Sequence, residues 1–209
     1  MFLDELPEFR KNTLEVLRGP LEDRNVTISR VNASLTYPSD FMLIASMNPC
    51  PCGYYGSDDS KCNCTEQAIS RYIGQVSGPL LDRIDLHIEV KPVEYKKISS
   101  SQQPESSKEI RKRVNNARKI QLERYKNFNI YSNSALTPNL TEKFCNLNDE
   151  SKNILKVAFE RLGLSGRAYG RILKVARTIA DLEGEEKIKS QHIAEAIQYR
   201  SLDRKYWRR

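Results

Sequence analysis

The chain has 209 residues, 39% hydrophobic and 29% charged, which bounds it to one or two globular domains. No run reaches the roughly 18 apolar residues of a membrane-spanning helix, and Asp4 and Glu5 fall where a secretory signal would be apolar, so a cytoplasmic location and no membrane partner are expected. Thirty-four basic against 27 acidic residues give a net charge of +7, a mild pull toward polyanions that does not by itself define a nucleic-acid binder.

The start, Met1-Phe2-Leu3-Asp4-Glu5-Leu6, reads as the end of a buried strand running into two carboxylates. Residues 8–18 carry Arg10, Leu14 and Leu17 on one helical stripe, with Pro7 in the first turn and Gly19-Pro20 as the stop. Residues 26–37 alternate as a hairpin turning around Arg30 to Asn32, although the turn chemistry is weak. Residues 41–45, Phe-Met-Leu-Ile-Ala, form the unbroken apolar run of a central parallel strand that ends at Ser46-Met47-Asn48. A loop rich in Cys, Gly, Pro and Asp follows over 49–64. Thr65-Glu66 then opens a helix that closes near Ser77-Gly78-Pro79. Ile84, Leu86, Ile88 and Val90 alternate with polar residues, which predicts a strand over 84–90. Residues 99–107 hold no apolar side chain and read as a linker. Helices are predicted beyond it over 108–126, 141–145, 149–162, 167–182 and 190–199, the last capped by Ser190. The fold class is therefore α/β followed by all-α.

Four features carry chemistry. An Asp at a strand tip, such as Asp4, can hold Mg²⁺, and the following Glu5 can polarise a water. Asn48 ends the next buried strand, where α/β ligands bind. Arg83, between Asp82 and Asp85, suits either an arginine finger or a structural ion pair with one of those carboxylates. Arg167, Arg171 and Lys174 share one face of a helix opened by Ser165-Gly166, a basic stripe whose ordinary reading is a solvated surface. Taken singly, each feature has such an ordinary explanation.

Taken together, in this order, they resemble the magnesium-chelatase-like AAA+ ATPases of the YifB/ComM group. The resemblance rests on Phe2-Leu3-Asp4-Glu5-Leu6-Pro7-Glu8-Phe9, on residues 26–38, on Met47-Asn48-Pro49-Cys50-Pro51-Cys52-Gly53, on residues 77–85 and on residues 167–182. It implies a partial AAA+ core over 1–98, the linker over 99–107 and a helical lid over 108–209. It also implies Walker-B roles for Asp4 and Glu5, a sensor-1 role for Asn48, a trans arginine finger at Arg83 and a sensor-2 role for Arg167. Asp4, Asn48 and Arg167 would then touch ATP and Mg²⁺. The hairpin of residues 26–37 would face the pore of a hexameric ring, where it can touch DNA. No Gly-rich loop ending in Gly-Lys-Ser/Thr occurs in the 209 residues, so this stretch alone is expected to be a C-terminal fragment that does not hydrolyse ATP. The function implied is an ATP-driven, helicase- or branch-migration-like DNA-remodelling motor. Two alternatives stay open, the motor subunit of a metal chelatase and a non-enzymatic zinc-stabilised DNA-binding module.

Cys50, Cys52, Cys62 and Cys64 form two C-x-C pairs within fifteen residues, and Gly53 and Gly56 permit tight turns between them. Four thiolates make a closed structural Zn²⁺ site, although C-x₂-C spacing is the commoner form. Cys145 reads as a small buried residue, and neither His87 nor His192 is expected to be a ligand or a catalyst.

Overall fold

A computed structural model describes residues 1–31, 33–56, 61–90 and 104–200. These fall into two compact units, residues 1–84 with 89–90, and residues 85–88 with 104–200. The architecture is mixed α/β in the first unit and helical in the second, as the sequence predicts.

In the first unit, β1 (Phe2–Leu3) pairs in parallel with β4 (Ile44–Ala45), in the register Phe2 to Ile44 and Leu3 to Ala45. The apolar run over 41–45 thus contributes two paired residues where five were predicted, because a ladder extends only as far as a partner strand lies beside it. A single 3-10 turn, Leu6–Glu8, follows β1 with Pro7 in its first turn. The helix predicted over 8–18 is divided into α1 (Lys11–Val16) and α2 (Arg18–Asp23). Gly19-Pro20 starts the second piece instead of ending the first, since proline needs no N–H partner in an opening turn.

The hairpin forms as predicted. Strands β2 (Asn25–Arg30) and β3 (Ala33–Pro38) pair antiparallel from Asn25–Pro38 to Arg30–Ala33. Every described residue of both strands is exposed. One face carries Val26, Ile28, Leu35 and Tyr37, while the other joins Thr27 to Thr36 at 3.0 Å and Ser29 to Ser34 at 3.1 Å. The small core of this unit gathers Leu6, Leu14, Val76, Leu80 and Leu81. Helix α3 (Glu66–Ile73) is capped by the Thr65 hydroxyl, which accepts from the Ala68 N–H at 3.2 Å. Helix α4 (Gly78–Leu81) is capped in the same way by Ser77, on Leu80 at 3.3 Å.

Residues 84–90 are not a strand. Leu86, Ile88 and Val90 are exposed, no ladder partner lies beside them among the described residues, and the His87 N–H is donated to the Tyr199 carbonyl at 2.8 Å. Alternation marks a strand only where a neighbouring strand takes up its N–H and C=O groups.

The second unit is built of α5 (Ser107–Arg124), α6 (Pro138–Phe144), α7 (Asp149–Leu162), α8 (Gly166–Leu182) and α9 (Ser190–Gln198). Most of the predicted linker, 99–103, lies outside the described residues, and its last residue already belongs to α5. Ser106 and Glu109 close a reciprocal capping box there, with the Glu109 carboxylate accepting from the Ser106 N–H at 3.0 Å. The predicted Ser190 cap is displaced by one position. Lys189 is the cap residue, and its N–H is donated to His192 Nδ1 at 3.0 Å. The core centres on Tyr125, Leu155, Ile172, Ala176 and Ile193. Cys145 packs among them, where burial pushes its thiol up to about 11.

Candidate functional site

The strand-end site begins where β1 and β4 part. The Ser46 N–H is donated to the Leu3 carbonyl at 2.9 Å, and the Leu6 N–H to the Ser46 carbonyl at 2.9 Å. Between these two bonds the chain turns outward and exposes Asp4 and Glu5. Asp4 Oδ1 accepts the Glu5 N–H at 3.1 Å and also the Ser46 hydroxyl. Glu5 sits in the left-handed region at φ 50°, ψ 52°, a conformation that costs a non-glycine residue about 1–2 kcal/mol. Asn48, also exposed, lies three residues past the end of β4 and not at its tip as the sequence predicts, while Asp4 directly follows β1, so both lie beyond the same end of the parallel pair. Ser46 escaped the sequence reading, yet its place at the end of an apolar run, two residues before Asn48, was the available signal.

Arg83 follows α4 with its side chain only 8% exposed. Its Nε meets Glu22 at 2.8 Å and its Nη1 is donated to the Pro79 carbonyl at 2.7 Å. The sequence pointed to Asp82 or Asp85 as carboxylate partners. Glu22, 61 positions away, could not be found from local pattern. Asp85 is paired with Arg171 in the second unit, and Lys174 Nζ is donated to the Ser134 carbonyl at 3.2 Å, so the basic stripe of α8 is partly engaged. Arg167 is exposed in the first turn of α8.

The four clustered cysteines converge. Cys50 Sγ lies 3.3 Å from Cys52 and 3.8 Å from Cys62, Cys52 lies 3.6 Å from Cys62, and all four sulfurs fall within 4.8 Å of one another. A tetrahedral zinc with bonds of about 2.3 Å sets its sulfurs about 3.8 Å apart, so the donor set fits a Cys₄ metal centre in number, chemistry and spacing. Left-handed Gly53 (φ 82°) and Gly56 (φ 79°) supply the turns. The Tyr54 backbone amide, then the neighbouring thiols, pull Cys52 down to about 6. Cys64 is pushed up to about 12: the Cys52 amide favours its thiolate, but the Cys52 sulfur and burial outweigh that. Four such sulfurs share their space as thiolates only around a cation.

Cys50 is fully buried against Ile69 and Ile73 of α3, and Tyr55, Cys62, Cys64 and Tyr72 complete the cluster. Burial pushes the Tyr72 phenol above its ordinary range, against the opposing influence of the Asn48 backbone amide.

Sequence reasoning also missed a buried ionic cluster in the second unit. Asp181 accepts from Arg124 at 2.9 and 2.5 Å, from Arg177 Nε at 3.1 Å and from Asn133 at 2.9 Å. Arg177 spends its other donors on the carbonyls of Glu185 and Glu186, at 2.5 and 2.7 Å. The i,i+4 spacing of Arg177 and Asp181 on an apolar helix face was the readable signal.

These two features, strand-end carboxylates beside a Cys₄ loop and a separate helical unit, describe a mixed α/β protein with one candidate metal centre among the described residues. Comparison with known families identifies it further. Residues 1–98 match the model of the magnesium chelatase subunit ChlI, and residues 104–200 match that of the ChlI C-terminal region. The chain is 45% identical over 205 residues to the competence protein ComM of Haemophilus influenzae, 43% over 206 to the protein YifB of Salmonella typhimurium and 42% over 205 to YifB of Escherichia coli. Each alignment covers 98% of this chain and 39% of the relative. The chain belongs to the magnesium-chelatase-like YifB/ComM family.

Proposed function

We propose that the whole protein is an ATP-driven DNA-remodelling motor of the AAA+ class, with part of its nucleotide-binding core in residues 1–98, a linker over 99–107 and a helical lid over 108–209. The observation that carries this reading is that Asp4 directly follows β1 and Asn48 follows its parallel partner β4 by three residues, both beyond the end of the pair where ligands of α/β sheets bind. In this reading Asp4 holds Mg²⁺, Glu5 polarises the attacking water and Asn48 orients it. Arg83 reaches the γ-phosphate of a neighbouring subunit in a hexameric ring, and Arg167 acts as the sensor-2 arginine that contacts ATP. The Glu22 and Pro79 contacts of Arg83 set its rest position in this chain. The DNA assignment draws on the name of the Haemophilus relative, the net charge of +7 and the first turns of α5, exposed on all sides and rich in Lys and Arg. The cysteine cluster holds one structural Zn²⁺ with no position left open for water.

ATP hydrolysis by the whole protein, measured with and without single- and double-stranded DNA at two salt concentrations, tests the motor. The expected result is DNA stimulation that fades steeply with salt as phosphate contacts are screened. Glu5→Gln should bind nucleotide without turning it over. Arg83→Ala should lose about 10³–10⁵ in rate, and rings mixed from the two variants should regain activity if the arginine acts in trans. No nucleotide binding by the whole protein would overturn the reading.

The family description favours a second reading, a chelatase motor. Hydrolysis indifferent to DNA and stimulated by a tetrapyrrole-binding partner would select it.

A further inference from the structure

We propose that the cysteine cage holds Asn48 in position: the metal-ordered turn from Cys50 to Gly53 limits the space beside the Asn48 amide, Tyr72 approaches the same residue from α3, and loss of the metal releases it. This rests on the reading of the four cysteines as a metal centre. It goes further by making that metal act on the strand end that carries Asp4.

Three connections converge on Asn48. The first runs along the chain, which reads Asn48-Pro49-Cys50-Pro51-Cys52. Each proline fixes its own φ near −65° and restricts the residue before it, here Asn48 and Cys50. Few backbone torsions are left free between the strand tip and the first two sulfurs, so a displacement of Cys50 or Cys52 is passed to Asn48. The second is the turn itself. The Gly53 N–H is donated to the Cys50 carbonyl at 3.0 Å, and Gly53 holds a left-handed φ of 82°. A Cβ on Gly53 would lie 4.0 Å from both Cγ and Oδ1 of Asn48, so the turn faces that amide across a gap that one methyl group would fill. The third passes through α3. Cys64 directly precedes its cap residue Thr65, Ile69 and Ile73 pack on Cys50, and Tyr72 lies in the same cluster with its phenol against the Asn48 backbone. Both arms of the loop therefore end on one residue.

The metal is the tie that closes this arrangement. Among its described residues the loop buries only Cys50, with Tyr55, Cys62 and Cys64 partly buried on the same small cluster, so the shared cation is the strongest tie between the two C-x-C arms. Stripping the metal then frees the Pro49–Pro51 lever, and Asn48 loses its fixed orientation while β1 and β4 stay paired. The consequence falls on the use of bound nucleotide, not on its capture.

Backbone hydrogen exchange of the whole protein tests this. The probe is Zn²⁺ alone, and the amides read are those of Ser46, Met47, Asn48 and Cys50, with α9 as an internal reference. Chelation of the wild-type protein should speed exchange at these amides about tenfold or more, leave α9 unchanged and be reversed by added Zn²⁺. Cys64→Ser should behave like the chelated protein. Tyr72→Phe keeps the ring and the zinc. It should raise exchange at Asn48 roughly three- to tenfold, the loss of about one hydrogen bond, with hydrolysis reduced and nucleotide affinity unchanged. Stoichiometric zinc whose removal leaves exchange at Asn48 unaltered would overturn the coupling and leave the metal centre standing. A parent protein that binds no Zn²⁺ would overturn both.

Discussion

The two units hold themselves together by different means. The helical unit closes a core of eleven buried residues around an internal ionic cluster, with Asp181 fully buried between Arg124 and Arg177. The first unit has two-residue strands, a hairpin exposed along its whole described length and a core of five buried residues. Its cysteine loop brings four sulfurs within 4.8 Å of one another and packs Cys50 on Ile69 and Ile73. The difference teaches where each unit is vulnerable. One depends on charges that the chain itself supplies, and the other, in the reading proposed above, on an ion held by four cysteines.

Removing the ion is the largest perturbation available. Structural zinc contributes about 10–16 kcal/mol in small zinc-dependent folds, so Cys50→Ser and Cys62→Ser should abolish stoichiometric zinc and loosen the cysteine loop while the helical unit melts unchanged. Metal analysis of protein purified without chelator, read beside domain-resolved thermal unfolding, checks this. Equal loss of both transitions would break the contrast.

The converse experiment strikes the helical unit. Asp181→Ala leaves Arg124 and Arg177 without their shared carboxylate inside a core, a change that costs about 3–5 kcal/mol. Urea unfolding should show that loss in the helical transition, with zinc content unaffected. Replacing the group by Asn should recover part of it, because Asn133 and the arginines keep an acceptor.

A smaller, pH-dependent effect should sharpen the comparison. The His192 ring, and secondarily Gln191, hold the Glu183 carboxyl below its usual range. A carboxyl lowered in the folded state contributes stability that is present above its unfolded pKa of about 4.3 and is lost as pH falls through the depressed folded value. The helical unit should therefore weaken on acidification below that range, and Glu183→Gln should flatten the dependence. The smallest effect is expected at Lys152–Asp149, a 3.1 Å pair whose side chains are 63% and 101% exposed. Lys152→Ala should shift stability by no more than about 0.5 kcal/mol, within the range of exposed ion pairs.

Legibility in the sequence followed the range of the interactions. The hairpin, four of the five helices of the second unit to within a residue or two and the cysteine cluster were readable, because alternation, caps and C-x-C spacing are local signals. The fifth, α6, begins three residues before its predicted start, because Thr137 caps it and Pro138 opens it. Residues 84–90 misled for the opposite reason. Their alternation is intact, but whether it becomes a strand depends on a partner that the pattern does not contain.

The sequence by itself determined the family, the order of its elements, the identity of the four sulfur donors and the presence of Asp4, Glu5 and Asn48 at apolar-run boundaries. Each of these depends on residue type at short separation. Only the tertiary structure decided that Ser46 meets Asp4, that Glu22 rather than Asp82 or Asp85 holds Arg83, and that Asp181 gathers two arginines. It also decided that the left-handed turn at Gly53 faces the Asn48 amide. Apart from Arg177 and Asp181, whose i,i+4 spacing on one helix is local, the charged pairs join residues from separate elements, and whether they meet is set by how helices and loops pack.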